Sequence, residues 1–326
     1  MIELWRNKPL SAAKQCIGSQ EKEAVIFPSA RQALVSALIK YGVARPDRIA
    51  LPEWSSQCLI GPVGKVATPL PLTEVLAYDI PVRVLVLYEQ WGWPLQGDYE
   101  EVLRTQFRNS IIVFDRVESP DVNNPRRPRL YPEMTQIDLI SLSKIMGLPG
   151  GGIAYCNGEA LRFEADKKDA TLVHHIWHKD NKPIPFRKLI HTHKNDVMYL
   201  HHDLIDWVEG NDVFIALAKE GRLRKANLDS FFNSSLSAAL PEWMRNAVEN
   251  GARPGIVPLF IKKDEAELER MQRFIMDELQ IEIFKYHFNL AGDPFNVQYE
   301  RCLAFPVHGE VVDIDHYFRA IERRLV

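Results

Sequence analysis

The 326-residue sequence is short of several features that would place a protein quickly. Its four cysteines, Cys16, Cys58, Cys156 and Cys302, lie far apart and form no CxxC pair. That spacing argues against a zinc knuckle, a thioredoxin-like centre and a disulfide scaffold, and it predicts reduced thiols. No apolar run approaches the roughly 20 residues that span a bilayer, so no membrane association is expected. The start, Met1-Ile2-Glu3-Leu4-Trp5-Arg6, lacks the basic-then-apolar layout of a secretory signal. A cytoplasmic protein is expected from this. Neither sign of charge dominates: 40 Lys and Arg stand against 43 Asp and Glu, net −3. A general nucleic-acid binder would carry a basic excess or stripe, so no nucleic-acid partner is expected. The one basic cluster, Arg126-Arg127-Pro128-Arg129, is short and reads as a solvated loop. Internal repeats and low-complexity tracts are also missing. What remains is 46% hydrophobic and 25% charged, the balance of a globular protein with a sizeable core.

Strand and helix signals alternate through the first half. Ala24 to Phe27 reads as a strand broken by Pro28, and Ser29 is a good N-cap for a helix from Ala30 to Tyr41, closed by Gly42. Short apolar strands follow at Arg48 to Leu51, Val82 to Tyr88, Ser110 to Phe114, Ile137 to Leu142 and Ile153 to Cys156. Near-continuous apolar strands separated by helices predict an α/β fold with a mainly parallel sheet covered on both faces. The segment from about 161 to 212 is polar and rich in histidine. Beyond it come a long helix from Val213 to Phe232, strands at Gly255 to Ile261, Ile281 to Phe284 and Cys302 to Phe305, and helices at Glu265 to Leu279 and Ile314 to Leu325. The change of pattern divides the chain into a three-layer αβα large domain, 1–214, and a small C-terminal α+β domain, 215–326.

Four features carry chemistry when taken in order. Lys144 sits in Ser141-Leu142-Ser143-Lys144-Ile145-Met146-Gly147-Leu148-Pro149-Gly150-Gly151-Gly152, directly after an apolar strand. A lysine amine is nucleophilic only when neutral, and a strand end among small residues is a place where its pKa can be tuned. Asp115 ends the strand before it. An acidic residue at the carboxyl end of a parallel strand points into the ligand crevice of an open α/β sheet. Pro28-Ser29-Ala30-Arg31 opens the first long helix, whose free amides and dipole suit a phosphate. Ser29 adds a hydroxyl and Arg31 a charge, and Ser141 supplies another hydroxyl. Trp54 stands where a ring could stack on a flat cofactor, or equally in the core.

This order, phosphate-type helix start, aromatic, strand-end Asp115 and then Lys144 twenty-nine residues on, resembles the fold-type-I enzymes that use pyridoxal 5'-phosphate (PLP). Ser141-Leu142-Ser143-Lys144 with Gly147-Leu148-Pro149-Gly150 looks like the aminotransferase lysine motif. A finer resemblance is to nucleotide-sugar aminotransferases of the DegT/StrS type. Ser29-Ala30-Arg31-Gln32-Ala33-Leu34 is similar to their Ser-Gly-Thr-Ala-Ala-Leu phosphate loop. Asp115 with Glu118 resembles their Asp-x-x-Gln pair, with an acid at the Gln position. Gly151-Gly152-Ile153-Ala154-Tyr155-Cys156-Asn157 and the tail Cys302 to His308, followed by Asp313-Ile314-Asp315, are also similar to family segments. The resemblance implies PLP held on Lys144 as a Schiff base. Asp115 would partner the pyridine nitrogen, and Ser29, Ala30, Arg31, Trp54, Glu118 and Ser141 would lie around the cofactor. It further implies an amino-acid donor, a keto acceptor that is an expected nucleotide-linked sugar, and a homodimer. The chain departs from the pattern at Gly152, where class I aminotransferases carry an arginine, and at Leu139, where a phosphate-binding serine is common. The family's Gly-x-Asn-x-Arg segment has no counterpart. A PLP-dependent lyase or dehydratase, and a non-catalytic relative that binds only, stay open beside the aminotransferase.

The histidines His174, His178, His191, His193, His201 and His202 form a cluster in sequence. His174 and His178 share a helical face in spacing, but no Glu general base completes a HExxH motif, so no metal is expected. Cys156 reads as a buried strand residue and His308 as the brace of a turn.

Overall fold

The computed structural model describes residues 1–10, 26–118, 131–161, 202–261 and 264–325. Helix α1 (Ala30–Lys40) is followed by β1 (Arg48–Leu51), α2 (Gln57–Val66), β2 (Thr68–Pro71), α3 (Leu72–Ala77), β3 (Val84–Tyr88), α4 (Tyr99–Gln106), β4 (Ile111–Asp115), β5 (Gln136–Ser141), α5 (Leu142–Met146), β6 (Gly152–Cys156) and β7 (Glu159–Ala160). The seven strands form one sheet in the order β2-β1-β3-β4-β5-β6-β7. From β2 to β5 the pairings are parallel, and β6 and β7 join antiparallel. Strands β3 to β6 are buried almost throughout, which is why their sequences read as apolar runs rather than as alternation. One face packs on α1 through Ala33, Leu34, Ala37 and Leu38, and the other on α3 and α4.

The second half contributes α6 (His202–Gly210), α7 (Val213–Asn233), α8 (Glu242–Glu249), β8 (Ile256–Leu259), α9 (Glu265–Asp277), β9 (Phe284–Asn289), β10 (Tyr299–Pro306) and α10 (Ile314–Leu325). The strands make an antiparallel sheet in the order β8-β10-β9. Asp212 caps α7 by accepting from Phe214 N and Ile215 N. The helix then serves both cores: Val213, Ala216 and Leu217 pack beside α5 and β6, while Leu228, Phe231 and Phe232 pack under the small sheet.

Most elements match the sequence expectations within two residues, but β10 starts three residues before the expected Cys302, helix α8 is additional, and further differences follow. Of the strand expected at Ala24 to Phe27, Ala24 and Val25 lie outside the described residues, and Phe27 makes a bridge to Gly152. The strand expected at Ile281 to Phe284 starts only at Phe284. Ile281 instead makes a parallel bridge to Ile2. Strands β2 and β7 are additional to the sequence expectations. They are short sheet-edge pieces, and the two prolines of β2 hide its strand character.

The N-terminal segment is a strap between the two sheets. Ile2 N donates to Gln280 O and Glu282 N to Ile2 O, both at 2.7 Å. Leu4 is fully buried in the small-sheet core, and Leu10 N donates to Met146 O beside the C-terminus of α5. Trp5 lies between these anchors. His308 ties the strap down: its Nε2 meets Glu3 O at 2.9 Å, while Nδ1 accepts from Glu310 N at 3.3 Å. These two contacts fit a neutral imidazole carrying its proton on Nε2. Burial is the main cause that holds its pKa below the usual value. The sequence reading of His308 as a brace is consistent with this, and its reach is longer than one turn.

Candidate active site

Asp115 and Lys144 meet because parallel neighbours present their carboxyl ends on one side. Asp115 closes β4, paired with Leu139 of β5, and β5 passes after Ser141 into the short helix α5 that carries Lys144. Gly147 stops that helix in the left-handed region at φ 67, where its N–H reaches Ser143 O. A side chain there would strike the strap, since a Cβ would sit 2.6 Å from Lys8 O. The local sequence thus keeps the lysine helix short and pinned.

Glu118 is the centre of the charge arrangement. Lys144 Nζ donates to its Oε1 at 2.7 Å, Trp5 Nε1 to the same oxygen at 3.0 Å, and the Tyr88 hydroxyl to Oε2 at 2.5 Å. The Glu118 side chain is 3% exposed and that of Lys144 28%. The Lys144 ammonium also sits over the Trp5 ring, 5.2 Å from its centroid. Burial opposes the charge on Lys144, but Glu118 outweighs it and raises the lysine pKa. Burial likewise opposes the Glu118 carboxylate, yet Lys144, Tyr88 and Trp5 together bring its pKa below the usual value. Tyr88 is pushed well up, by burial first and by Glu118 second, so its phenol stays a neutral donor. Arg224 Nη1 fixes the backbone of this acid by donating to Glu118 O at 2.7 Å. Arg224 is itself paired with Glu220, which also binds Arg6 of the strap.

Asp115 is nine-tenths buried and accepts from Val117 N at 3.3 Å. Burial, opposed by Lys144 and assisted by Glu118, raises its pKa from 3.8 to about 6. Its remaining acceptor capacity suits a cationic ring nitrogen.

The third part is the start of α1. Ser29 is its N-cap, accepting from Gln32 N at 3.2 Å, and Ala30 and Arg31 form the first turn. Ser29 and Phe27 bridge to Gly151 and Gly152, and Ser141 pairs with Gly152 from the other side. The Ser141 hydroxyl lies 2.9 Å from that of Ser143. One loop, Gly151-Gly152, therefore joins the helix N-terminus to the serine preceding the lysine. A Cβ on Gly152 would lie 2.2 Å from Ala30 N, so the arginine of class I aminotransferases has no room here. Gly152→Ala is expected to lower stability by roughly 1–3 kcal/mol or more, as overpacking against rigid backbone does. A urea midpoint read together with PLP uptake checks it, and both should fall.

The helix start, a serine hydroxyl on each side of Gly151-Gly152, a buried carboxylate with spare acceptor capacity and a lysine lie at the ends of neighbouring elements, and this set of groups fits PLP. Of the residues singled out in the sequence, Asp115, Glu118 and Lys144 are brought together, Ser29, Ala30 and Ser141 gather around Gly151-Gly152, and Arg31 lies in the first turn of α1. Trp54 is 55% exposed and stacks on His287 of β9 at 4.2 Å, with Tyr299 edge-on at 6.3 Å. Its ring is engaged with the small sheet. Arg126, Arg127 and Arg129, and His174, His178, His191, His193 and His201, lie outside the described residues. Tyr88 and Trp5 escaped the sequence reading. Tyr88 carries a signal, being the polar end of an apolar strand next to β4, whereas Trp5 has none, since only the strap brings it here. Beside Tyr88 a cavity opens toward the small sheet, lined among others by Glu53, Trp93, Phe288, Phe295 and Tyr299. Burial and then Glu53 push the Tyr299 phenol up to about 12.

Residues 13–172 match a family described as "Putative PLP-dependent aminotransferase". No curated protein matches the chain in sequence. Among solved structures, "Putative sugar aminotransferase Spr1654 from Streptococcus pneumoniae, PMP-form" aligns at TM-score 0.52 and 13% identity over 98% of this chain and 100% of that one. NtdA from Bacillus subtilis, with bound cofactor PMP, aligns at TM-score 0.57 and 11% identity over 93% and 73%. DesV from S. venezuelae, solved with a ketimine intermediate, aligns at TM-score 0.52 and 15% identity over 93% and 84%. The family match covers residues 13–172, and over nearly the whole chain the fold is that of these solved PLP-dependent aminotransferases.

Proposed function

We infer that the chain moves an amino group from an amino-acid donor to a carbonyl acceptor, with Lys144 as the lysine that holds PLP and shuttles the proton. The observation that carries this reading is that Asp115 and Lys144 meet at the carboxyl ends of β4 and β5, with the α1 start linked to Ser141 through Gly151-Gly152. When bound, PLP supplies an electron sink for the pair released at the donor's α-carbon. Asp115 holds the proton of the ring nitrogen. Ser29, Ser141 and the free amides of α1 hold the phosphate, and Arg31 adds charge there. With PLP bound, Lys144 Nζ would be the base that takes the proton from the donor's α-carbon and the acid that delivers one to the cofactor carbon beyond the nitrogen. The Tyr88 phenol, kept neutral, keeps its hydrogen bond to Glu118 throughout.

The acceptor in this reading is a keto sugar linked to a nucleotide. The structural likeness to sugar aminotransferases supports it, and the cavity beside Tyr88 offers space for a bulky acceptor. The protein works as a cytoplasmic homodimer, and light scattering of the PLP-saturated protein tests the assembly. A survey of amino donors followed by absorbance tests the reaction. Loss of the bound-aldehyde absorbance with glutamate or a similar donor, restored by an oxo acid, is the expected result. Product formation without that loss would assign a lyase or dehydratase instead. No response to any donor at full PLP occupancy would leave a binding relative.

A further inference from the structure

Glu118 stands out because it places a buried negative charge on the one amine that must become neutral. We propose that Glu118 is a positioning and proton-holding residue for Lys144, keeping it as an ammonium and so setting the pH at which it becomes a nucleophile. The proposal rests on the PLP reading of Lys144, since it concerns the condensation of that amine with the cofactor aldehyde.

The geometry supports it from every side. Lys144 Nζ faces the carboxylate at 2.7 Å and the Trp5 ring at 5.2 Å. Asp115, from the end of β4, and the Cys58 thiol, from α2, lie within electrostatic reach of the ammonium and both favour it. No described cation opposes them at the lysine. On the Glu118 side, Tyr88 from β3 and Trp5 from the strap donate to the two oxygens and stabilise the anion. Arg224 holds the Glu118 backbone carbonyl, and the carboxylate itself cannot swing away without breaking its bonds to Tyr88 and Trp5. An amide at this position would accept from Trp5 through its one oxygen and turn its NH2 toward the Tyr88 hydroxyl, and it would bring no charge to hold the ammonium. The acid is therefore what distinguishes this chain from the Asp-x-x-Gln pattern it resembles.

The chemistry balances without another reagent. The ammonium first gives a proton to solvent. The neutral amine then adds to the aldehyde carbon, forming the C=N bond, and the aldehyde oxygen leaves as water. The first step is uphill by as much as Glu118 favours the ammonium. An opposite charge at this distance moves a pKa by about one to three, and the neutral fraction falls about tenfold for each.

The test needs no turnover. Lys144 is 28% exposed, so a small reagent such as acetic anhydride reaches it. The chain purified without cofactor is labelled over a pH series, and the Lys144 peptide is compared with that of exposed Lys40 by mass spectrometry. In the wild type, Lys144 should reach half-labelling at a higher pH than Lys40. In Glu118→Gln, its labelling rate at pH 8 should rise about tenfold or more. PLP uptake fixed by borohydride should move to lower pH in the variant in parallel. Equal labelling profiles of Lys144 in wild type and variant would overturn the proposal. If the variant does not fold, a wild-type Lys144 that labels like Lys40 overturns it alone. A chain that takes up no PLP at any pH removes the cofactor reading instead, while the labelling still decides the role of Glu118.

Discussion

Lys144→Ala is expected to abolish borohydride fixation of PLP and to lower transamination by roughly 10²–10⁴-fold or more, the range lost with a positioned acid–base group. Two roles disappear together, because the same nitrogen holds the cofactor and moves the proton. A small primary amine added to the variant should restore part of the proton transfer and none of the fixation, which separates the two. The substitution also strips Glu118 of its cation. Removing one member of a fully buried ion pair costs roughly 3–5 kcal/mol. The lysine side chain is 28% exposed, so the loss here should fall below that range. Tyr88 and Trp5 still satisfy the carboxylate, and a thermal melt should show a folded but weaker protein. Unchanged PLP fixation and turnover in this variant would remove Lys144 from the mechanism.

The parts of the site that the sequence announced are those written in local signals. A serine before a helical period, an acid ending an apolar run and a lysine ahead of clustered glycines can each be read within a few residues. The sheet that aligns them follows from the same signals, since buried parallel strands are continuous apolar runs. What escaped has its cause in contacts distant along the chain. Trp5 reaches Glu118 across 113 positions, through a strap anchored at Gln280 to Glu282 ahead of β9 and at Met146 of α5, which no local pattern reveals. Arg224 likewise supports the Glu118 backbone from the middle of a helix whose sequence reads only as a long helix. The sequence leaves Trp54 open between a cofactor ring and the core, and its stacking partner, His287, is 233 positions away, beyond any local pattern. The role of Glu118 was half legible. The motif placed it near the cofactor, but only the geometry shows that its acid takes the lysine.

Asp115→Asn should act in opposite directions on stability and on chemistry. Burial lifts the Asp115 pKa from 3.8 to about 6, with Lys144 opposing and Glu118 adding to the rise. A folded-state pKa above the unfolded value means that the fold prefers the protonated acid. That preference stabilises fully below about pH 4 and is lost as the pH climbs through 6. Near pH 8 the cofactor-free protein therefore carries an ionised, buried carboxylate at a cost on the order of 1–3 kcal/mol, because moving a pKa by one corresponds to about 1.4 kcal/mol. The amide does not titrate, so the stability of the variant relative to wild type should rise between pH 4 and pH 7 and favour the variant by that amount at pH 8. Denaturant unfolding of the cofactor-free proteins across this range measures it, and a difference independent of pH would contradict it. Chemistry should move the other way. An amide cannot hold a positive ring nitrogen, and loss of one preorganised electrostatic contact lowers a rate by about 10²–10³-fold. The charge that weakens the empty protein is the charge the bound cofactor requires, so PLP should stabilise the wild type more than the variant. A smaller rise in melting temperature on adding PLP to Asp115→Asn than to wild type is the expected result, and an equal rise would separate Asp115 from the pyridine nitrogen.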